Sequence, residues 1–237
     1  MNTMCRIAVV GSLLACTFDV FNQPTVQWQK CLGGSSGESA SCIQQTPDGG
    51  FIVAGSSGST DGDVSGNHGG ADCWVVKLGV SGNIHWQKSL GGSGTDKATS
   101  IQMTTDGGYI VAGYTTSNDG DVSGHYNPGV FNYDYWVLKL DNFGAVQWQR
   151  CLGGTGSDLA HSIRQTSDGG YIVAGESFSN DGDVIGHHGG ADQWLVKLHG
   201  NGAFQWQRCL GGSGWDVASD VWPTTDGGYI VAGWTGS

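Results

Sequence analysis

The stretch Thr60–Asp72 reads TDGDVSGNHGGAD and sets oxygen donors at a spacing that suits a calcium ion. Asp61, Asp63, Ser65, Gly66 and Asp72 fall at the first, third, fifth, sixth and twelfth positions of a loop, the pattern by which EF-hand-like loops wrap Ca²⁺. Two variants follow. One carries Asp119 and Asp121 and delays its last carboxylate to Asp134; the other carries Asp181, Asp183 and Asp192, with Ile185 in place of the serine. What recurs is DGDV followed by an aspartate two residues before a tryptophan. The competing reading is turn chemistry, in which Asp and Asn side chains cap the backbone and Gly supplies the unusual dihedrals. The turn reading comes first, with Ca²⁺ as the ion these residues would hold.

His68, His125, His187 and His188 lie in the same loops. Zinc needs convergent ligands at spacings such as CxxC or HxxxH, and neither is present, so these histidines are expected to face solvent. Aromatic residues that break the repeat described below point to an organic ligand instead. The insertion HYNPGVFNYDY adds Tyr126, Phe131, Tyr133 and Tyr135 to one loop, and Trp215 stands where other copies have Thr95, Ser157 or Glu38. Catalysis needs a unique constellation. Glu38 and Glu176 are the only glutamates, there is no GxSxG or phosphate-binding loop, and pairs such as Asp61 and Asp63 are repeated as turn chemistry.

These residues need a scaffold, and self-comparison supplies one. Trp28, Trp86, Trp148 and Trp206 sit in QWQ or HWQ, and Asp48, Asp106, Asp168 and Asp226 each open a DGG, giving a period of 58 to 62 residues. Each unit holds two hairpins. In SIQMTTDGGYIVAG the DGG makes a tight turn between apolar-rich runs; in WVVKLGVSGNIHWQ another glycine-containing turn does so. Composition agrees, with 43 Gly, 10 Trp and 13% charged residues. The expected fold is all-β, an array of four-stranded antiparallel β-propeller-like blades across residues 22–237. Units lie near 35–92, 93–154 and 155–212, with 213–237 an incomplete last repeat. YIVAGWTGS matches the second strand of a unit, and Val26–Leu32 could return as an outer strand. A fragment of a longer array, or a truncated product, is preferred to a closed four-bladed ring. Strand alternation puts the LGGSG linkers and the DGDVSG loops on one face, where binding is expected.

The motifs DGGYIVAG, GDVSG, ADxWVVKL and QWQKSLGG resemble a repeat of exported and surface proteins of bacteria and archaea. The resemblance implies a propeller-like array and brings no shared catalytic residues with it.

The N-terminus reads as a separate unit. Arg6 precedes the apolar run Ile7–Cys16, which is short for a membrane span and suits an export signal over residues 1–16. LLAC at its end is similar to a lipoprotein lipobox, which would make Cys16 a lipidation site; ordinary cleavage near Thr17 is the alternative. Cys31, Cys151 and Cys209 share a repeat position with Ser89 and read as small buried packing residues. A net charge of -11 argues against nucleic acid or an anionic membrane surface as partner. The sequence therefore predicts a non-enzymatic, secreted or cell-surface binding or display scaffold, meeting a membrane only through a lipid anchor and taking a protein or glycan ligand. A lectin-like glycan binder is the second reading, and a hydrolase with its active residues in other blades the third.

Overall fold

The computed structural model describes residues 7–8, 25–126 and 132–236, and of Ile7–Ala8 the backbone only. Every regular element among them is a strand. Two short ones, β1 (Ile7–Ala8) and β2 (Gln29–Lys30), pair antiparallel. The first blade is β3 (Glu38–Gln45), β4 (Phe51–Ser57), β5 (Asp72–Leu78) and β6 (Ile84–Leu90). The second is β7 (Asp96–Met103), β8 (Tyr109–Thr115), β9 (Asp134–Leu140) and β10 (Val146–Leu152), and the third is β11 (Asp158–Gln165), β12 (Tyr171–Ser177), β13 (Asp192–Leu198) and β14 (Phe204–Leu210). β15 (Asp216–Pro223) and β16 (Tyr229–Thr235) form a two-stranded sheet. Each blade is an antiparallel meander in chain order, as the repeat predicts.

The strand sequences follow from where each strand lies. YIVAG and WVVKL are continuous apolar runs, not alternating ones, because second and third strands have a neighbouring blade over one or both faces. IHWQKSL mixes polar and apolar residues because the fourth strand is the partly exposed rim of the blade. First strands β3, β7, β11 and β15 touch in succession, which puts them on the inner side where blades converge. Each carries a one-residue bulge, at Ser41, Thr99, His161 and Ser219. The bulge presses the first strand onto the glycine of YIVAG: a Cβ on Gly113 would collide with the Lys97 carbonyl oxygen.

Blades join through one repeated contact. Ile52 and Ala54 of β4 pack on Ala98 and Ile101 of β7. Ile110 and Ala112 meet Ala160 and Ile163, and Ile172 and Ala174 meet Ala218 and Val221. At the rim the fourth-strand tryptophan of one blade packs on an aromatic ring of the next: Trp86 on Tyr109 at 5.9 Å, Trp148 on Tyr171 at 5.8 Å and Trp206 on Tyr229 at 5.7 Å.

The DGG end of each full blade is held by a lysine. Lys77 Nζ donates to Asp48 Oδ2 (2.8 Å) and the Leu78 carbonyl, and Lys139–Asp106 (2.9 Å) and Lys197–Asp168 (3.0 Å) repeat the arrangement. In WVVKL this lysine looks like a solvent-facing break, yet its side chain is buried along the sheet with only the ammonium reaching the turn.

Two sequence readings need correction. Glu38 pairs with Ser57 as Asp96 pairs with Thr115, so Gly37, not Glu38, is the counterpart of Trp215. Cys31 is exposed, so its shared position is a buried packing site only at Ser89 and Cys209, with Cys151 between. The described cysteines are free thiols.

If the junctions carry the stability, Ile110→Ala should cost about 2–5 kcal/mol in urea unfolding. Ile185→Ala, on a side chain 72% exposed in a long loop, should stay within about 0.5 kcal/mol.

Candidate functional site

The long loops and linkers do share one end of the array, and their carboxylates tie them together. Asp61 Oδ1 accepts from the Ser35 backbone N–H (2.7 Å), and Asp63 Oδ2 accepts from the Gly33 N–H (3.2 Å). Asp119 and Asp121 take Ser93 and Gly91 in the same way, and Asp181 and Asp183 take Thr155 and Gly153. Gly62, at φ 67°, lies where a Cβ would strike the Gly33 carbonyl oxygen, and Val64 is an anchor in the first-blade core. The DGDV motif is thus a clasp: carboxylate, close approach, carboxylate, hydrophobic plug. Ser65 is occupied as well, its hydroxyl accepting from Gln87 Nε2 (2.6 Å). Among the described residues no group of three or more His, Cys, Asp or Glu side chains could hold a metal ion.

The last aspartate of each loop belongs to a different structure. Asp72, Asp134 and Asp192 open the third strands and are fully buried. Their Oδ2 atoms accept backbone N–H groups of His68 (2.9 Å), Tyr126 (2.7 Å) and His188 (3.0 Å), and their Oδ1 atoms lack a hydrogen bond. Each faces a second buried carboxylate that opens the next blade's first strand: Asp96, Asp158 and Asp216. A Cβ on Gly153 would come within 2.6 Å of both Asp134 Oδ1 and Asp158 Oδ2. Burial pushes Asp134 up to about 7 and Asp158 up to about 6, and the nearby Asp134 charge adds to the rise at Asp158. Burial also raises Asp72 and Asp96.

His68, His125 and His188 sit beside these aspartates and do not simply face solvent. His68 Nδ1 lies 2.8 Å from Asp72 Oδ2, and the hydrogen bond raises its pKa. His188 Nδ1 is 2.7 Å from Asp192. His125 is buried, 3.6 Å from Asp134, and burial lowers its pKa.

The predicted ligand residues separate. Tyr135 is fully buried, its hydroxyl donating to the Trp194 carbonyl (3.0 Å) and its ring 4.6 Å from Trp194, so it is junction core. Tyr133 packs edge-on against Tyr114 at 5.1 Å. Tyr126 is exposed and lies beside Gly182 of the next blade's loop. Phe131, like Cys16, lies outside the described residues.

Trp215 is different. Half exposed, it donates from Nε1 to Glu176 Oε2 (2.6 Å) and packs against Phe178 (5.5 Å) and Trp234 (6.0 Å), both also open to solvent. Glu176 is buried, with Oε1 3.4 Å from His161 Nε2 on the β11 bulge. Burial works against its ionisation, but His161 and Trp215 outweigh that and hold the carboxyl below the ordinary range. Three open rings therefore cluster around Trp215, which one buried carboxylate anchors. Position-by-position comparison could have found Glu176 and Phe178, since the first two blades carry Ser56 or Tyr114 and Gly58 or Thr116 there.

No family model matches this chain, and no curated protein matches it. One solved structure, of a protein of unknown function from Bacteroides caccae, aligns over 79% of this chain and 72% of its own, at 14% identity and a TM-score of 0.29.

The two carboxylate sets set the pH profile. Asp134 and Asp158 keep their protons to higher pH when folded than when unfolded, so their contribution is present below about pH 4 and lost as pH rises towards 7. Asp48, lowered chiefly by Lys77, Asp106, where burial opposes but the Thr104 hydroxyl and Lys139 prevail, and Asp168, lowered by the Thr166 hydroxyl, the Gly170 N–H and then Lys197, contribute above the ordinary range and lose that as pH falls. Melting temperature followed from about pH 3 to 9 should peak in the mildly acidic range. Asp134→Asn should raise it on the alkaline side, and an unchanged alkaline limb would count against the buried pair.

Proposed function

We propose that this chain is a non-enzymatic binding scaffold whose linker-and-loop face recognises carbohydrate at the rings of Trp215, Phe178 and Trp234. The observation that carries the reading is the Trp215–Glu176 hydrogen bond, which fixes a half-exposed ring without covering it. A preset aromatic face loses little conformational freedom on binding and suits the C–H face of a sugar ring. The partly exposed His161 ring beside Glu176 offers a polar partner for a hydroxyl group.

A hydrolytic reading draws on Asp134 and Asp158, whose near-neutral titration resembles that of a catalytic acid. Both are 0% exposed, and equivalent pairs recur at the other junctions, which favours a role in joining blades. The resemblance to repeats of exported surface proteins supports an extracytoplasmic or surface setting, and the LLAC segment supports Cys16 as an anchor.

Calcium is the ion the loops would take. The backbone clasps made by Asp61, Asp63 and their counterparts hold the loops without one, so EDTA should leave the melting temperature unchanged. A fall that calcium restores would show that an ion is structural.

The carbohydrate reading is tested on a broad glycan array followed by calorimetry. Wild type should bind, and Trp215→Ala should weaken binding by tenfold or more, about 1.4 kcal/mol, at unchanged melting temperature. Absence of any glycan ligand for the wild type overturns it.

A further inference from the structure

We infer, resting on the carbohydrate reading above, that the ligand is a linear glycan chain lying across two blade junctions, with Tyr133 forming a second ring subsite two strands away from Phe178. The backbone at the loop end sets this arrangement. Ser157, just before β11, is bonded on both sides: its carbonyl accepts the Phe178 N–H (2.9 Å), and the Asp158 N–H of the same peptide unit donates to the Tyr133 carbonyl (2.5 Å). The pattern repeats one junction further on. There the Asp216 N–H donates to the Ala191 carbonyl (2.7 Å), and Ala191 forms a parallel bridge with Trp215. Phe178 in turn stands opposite Ala191, because β12 and β13 pair Ser177 with Asp192 one step earlier.

Tyr133, Ser157, Phe178, Ala191 and Trp215 therefore stand side by side on adjacent lengths of chain, and residues directly opposite one another share a face. Rings alternate with small side chains along that row. Neighbouring strands lie about 4.8 Å apart, so the backbones of Tyr133 and Phe178 are about 10 Å apart with Ser157 between them. A single sugar ring does not reach across that distance. Successive sugars of one chain do, and a second subsite met by the same chain is gained without a second bimolecular encounter.

The fold does not require rings at these places. The preceding junction holds Ala71, Thr95 and Thr116 there, joined by the same bonds from the Asp96 N–H to Ala71 (2.6 Å) and from the Thr116 N–H to Thr95 (2.9 Å). Nor does the setting of Tyr133 and Ser157 depend on β16, since they stand between two complete four-stranded blades. Each end of the row is held by a neighbour. Trp215 is fixed by Glu176, and half-buried Tyr133 leans on Tyr114 at 5.1 Å, while Phe178 between them is 39% exposed. The row thus meets a ligand with its rings already placed, which suits stacking on the C–H faces of consecutive sugars.

Calorimetric titration with cello-, chito-, laminari- and manno-oligosaccharides of one to six units tests this. For the series that binds, the wild type should hold the hexasaccharide about tenfold more tightly than the disaccharide. Tyr133→Ala should bind the hexasaccharide no more tightly than the disaccharide; Ala71 and Ala191 hold that place in the other blades, so the substitution suits the fold. Tyr133→Phe keeps the ring and should keep the gain with length. Trp215→Ala should weaken short and long chains alike. Equal affinity of the wild type for two and six units overturns the chain-binding row and leaves the carbohydrate reading standing, as does a folded Tyr133→Ala protein with the wild-type gain. Failure of the wild type to bind any of these sugars at any length removes both.

Discussion

The structure depends on the contact between the second strand of one blade and the first strand of the next. A four-stranded antiparallel sheet has two faces to cover, and a blade of this size cannot bury either by itself. Ile and Ala from YIVAG meet Ala and Ile from the bulged strand that follows, and this pairing gives the second strand its unbroken apolar sequence. The glycine that ends YIVAG has its reason here too. A bulge brings the first strand's backbone where a side chain would otherwise stand, so the first strand can lie close to its partner while turning a flat apolar face to the preceding blade.

Electrostatics separates the two ends of every blade. At the turn end an exposed aspartate meets a lysine that runs along the sheet, and that hydrogen bond holds the Asp48 carboxyl well below the ordinary range. At the loop end two aspartates from adjacent blades are enclosed together, and their desolvation is relieved by keeping a proton. The same residue type thus acts in opposite senses at distances set by one blade's height. The histidines beside Asp72 and Asp192 satisfy one oxygen of each carboxylate.

Against this repeated background the carboxylate of Glu176 stands out because no equivalent exists at the other junctions. It takes a position held by Ser56 in the first blade and Tyr114 in the second, and it organises Trp215 and His161, residues themselves foreign to their repeat positions. The aromatic insertion, by contrast, is largely absorbed by the scaffold. Tyr135 fills a junction and Tyr133 leans on Tyr114, which leaves Tyr126 as the ring of that loop open to solvent among the described residues.

Blade architecture was legible in the residues because period, glycine turns and apolar runs are local features that each copy states again. DGG, YIVAG and WVVKL identify strands and turns without knowledge of neighbours. Partnership is a different matter. Asp61 and Asp72 lie in one loop and fit one ligand spacing, yet the chain carries the first to a linker N–H and the second into a blade junction. Lys77 breaks an apolar pattern, and only the fold shows its stem buried and its ammonium on Asp48. Spacing along the chain determined the turns, strands and repeat of this protein. Which carboxylate is hydrated, clasped or enclosed with another was decided by tertiary structure, because desolvation depends on what the next blade covers.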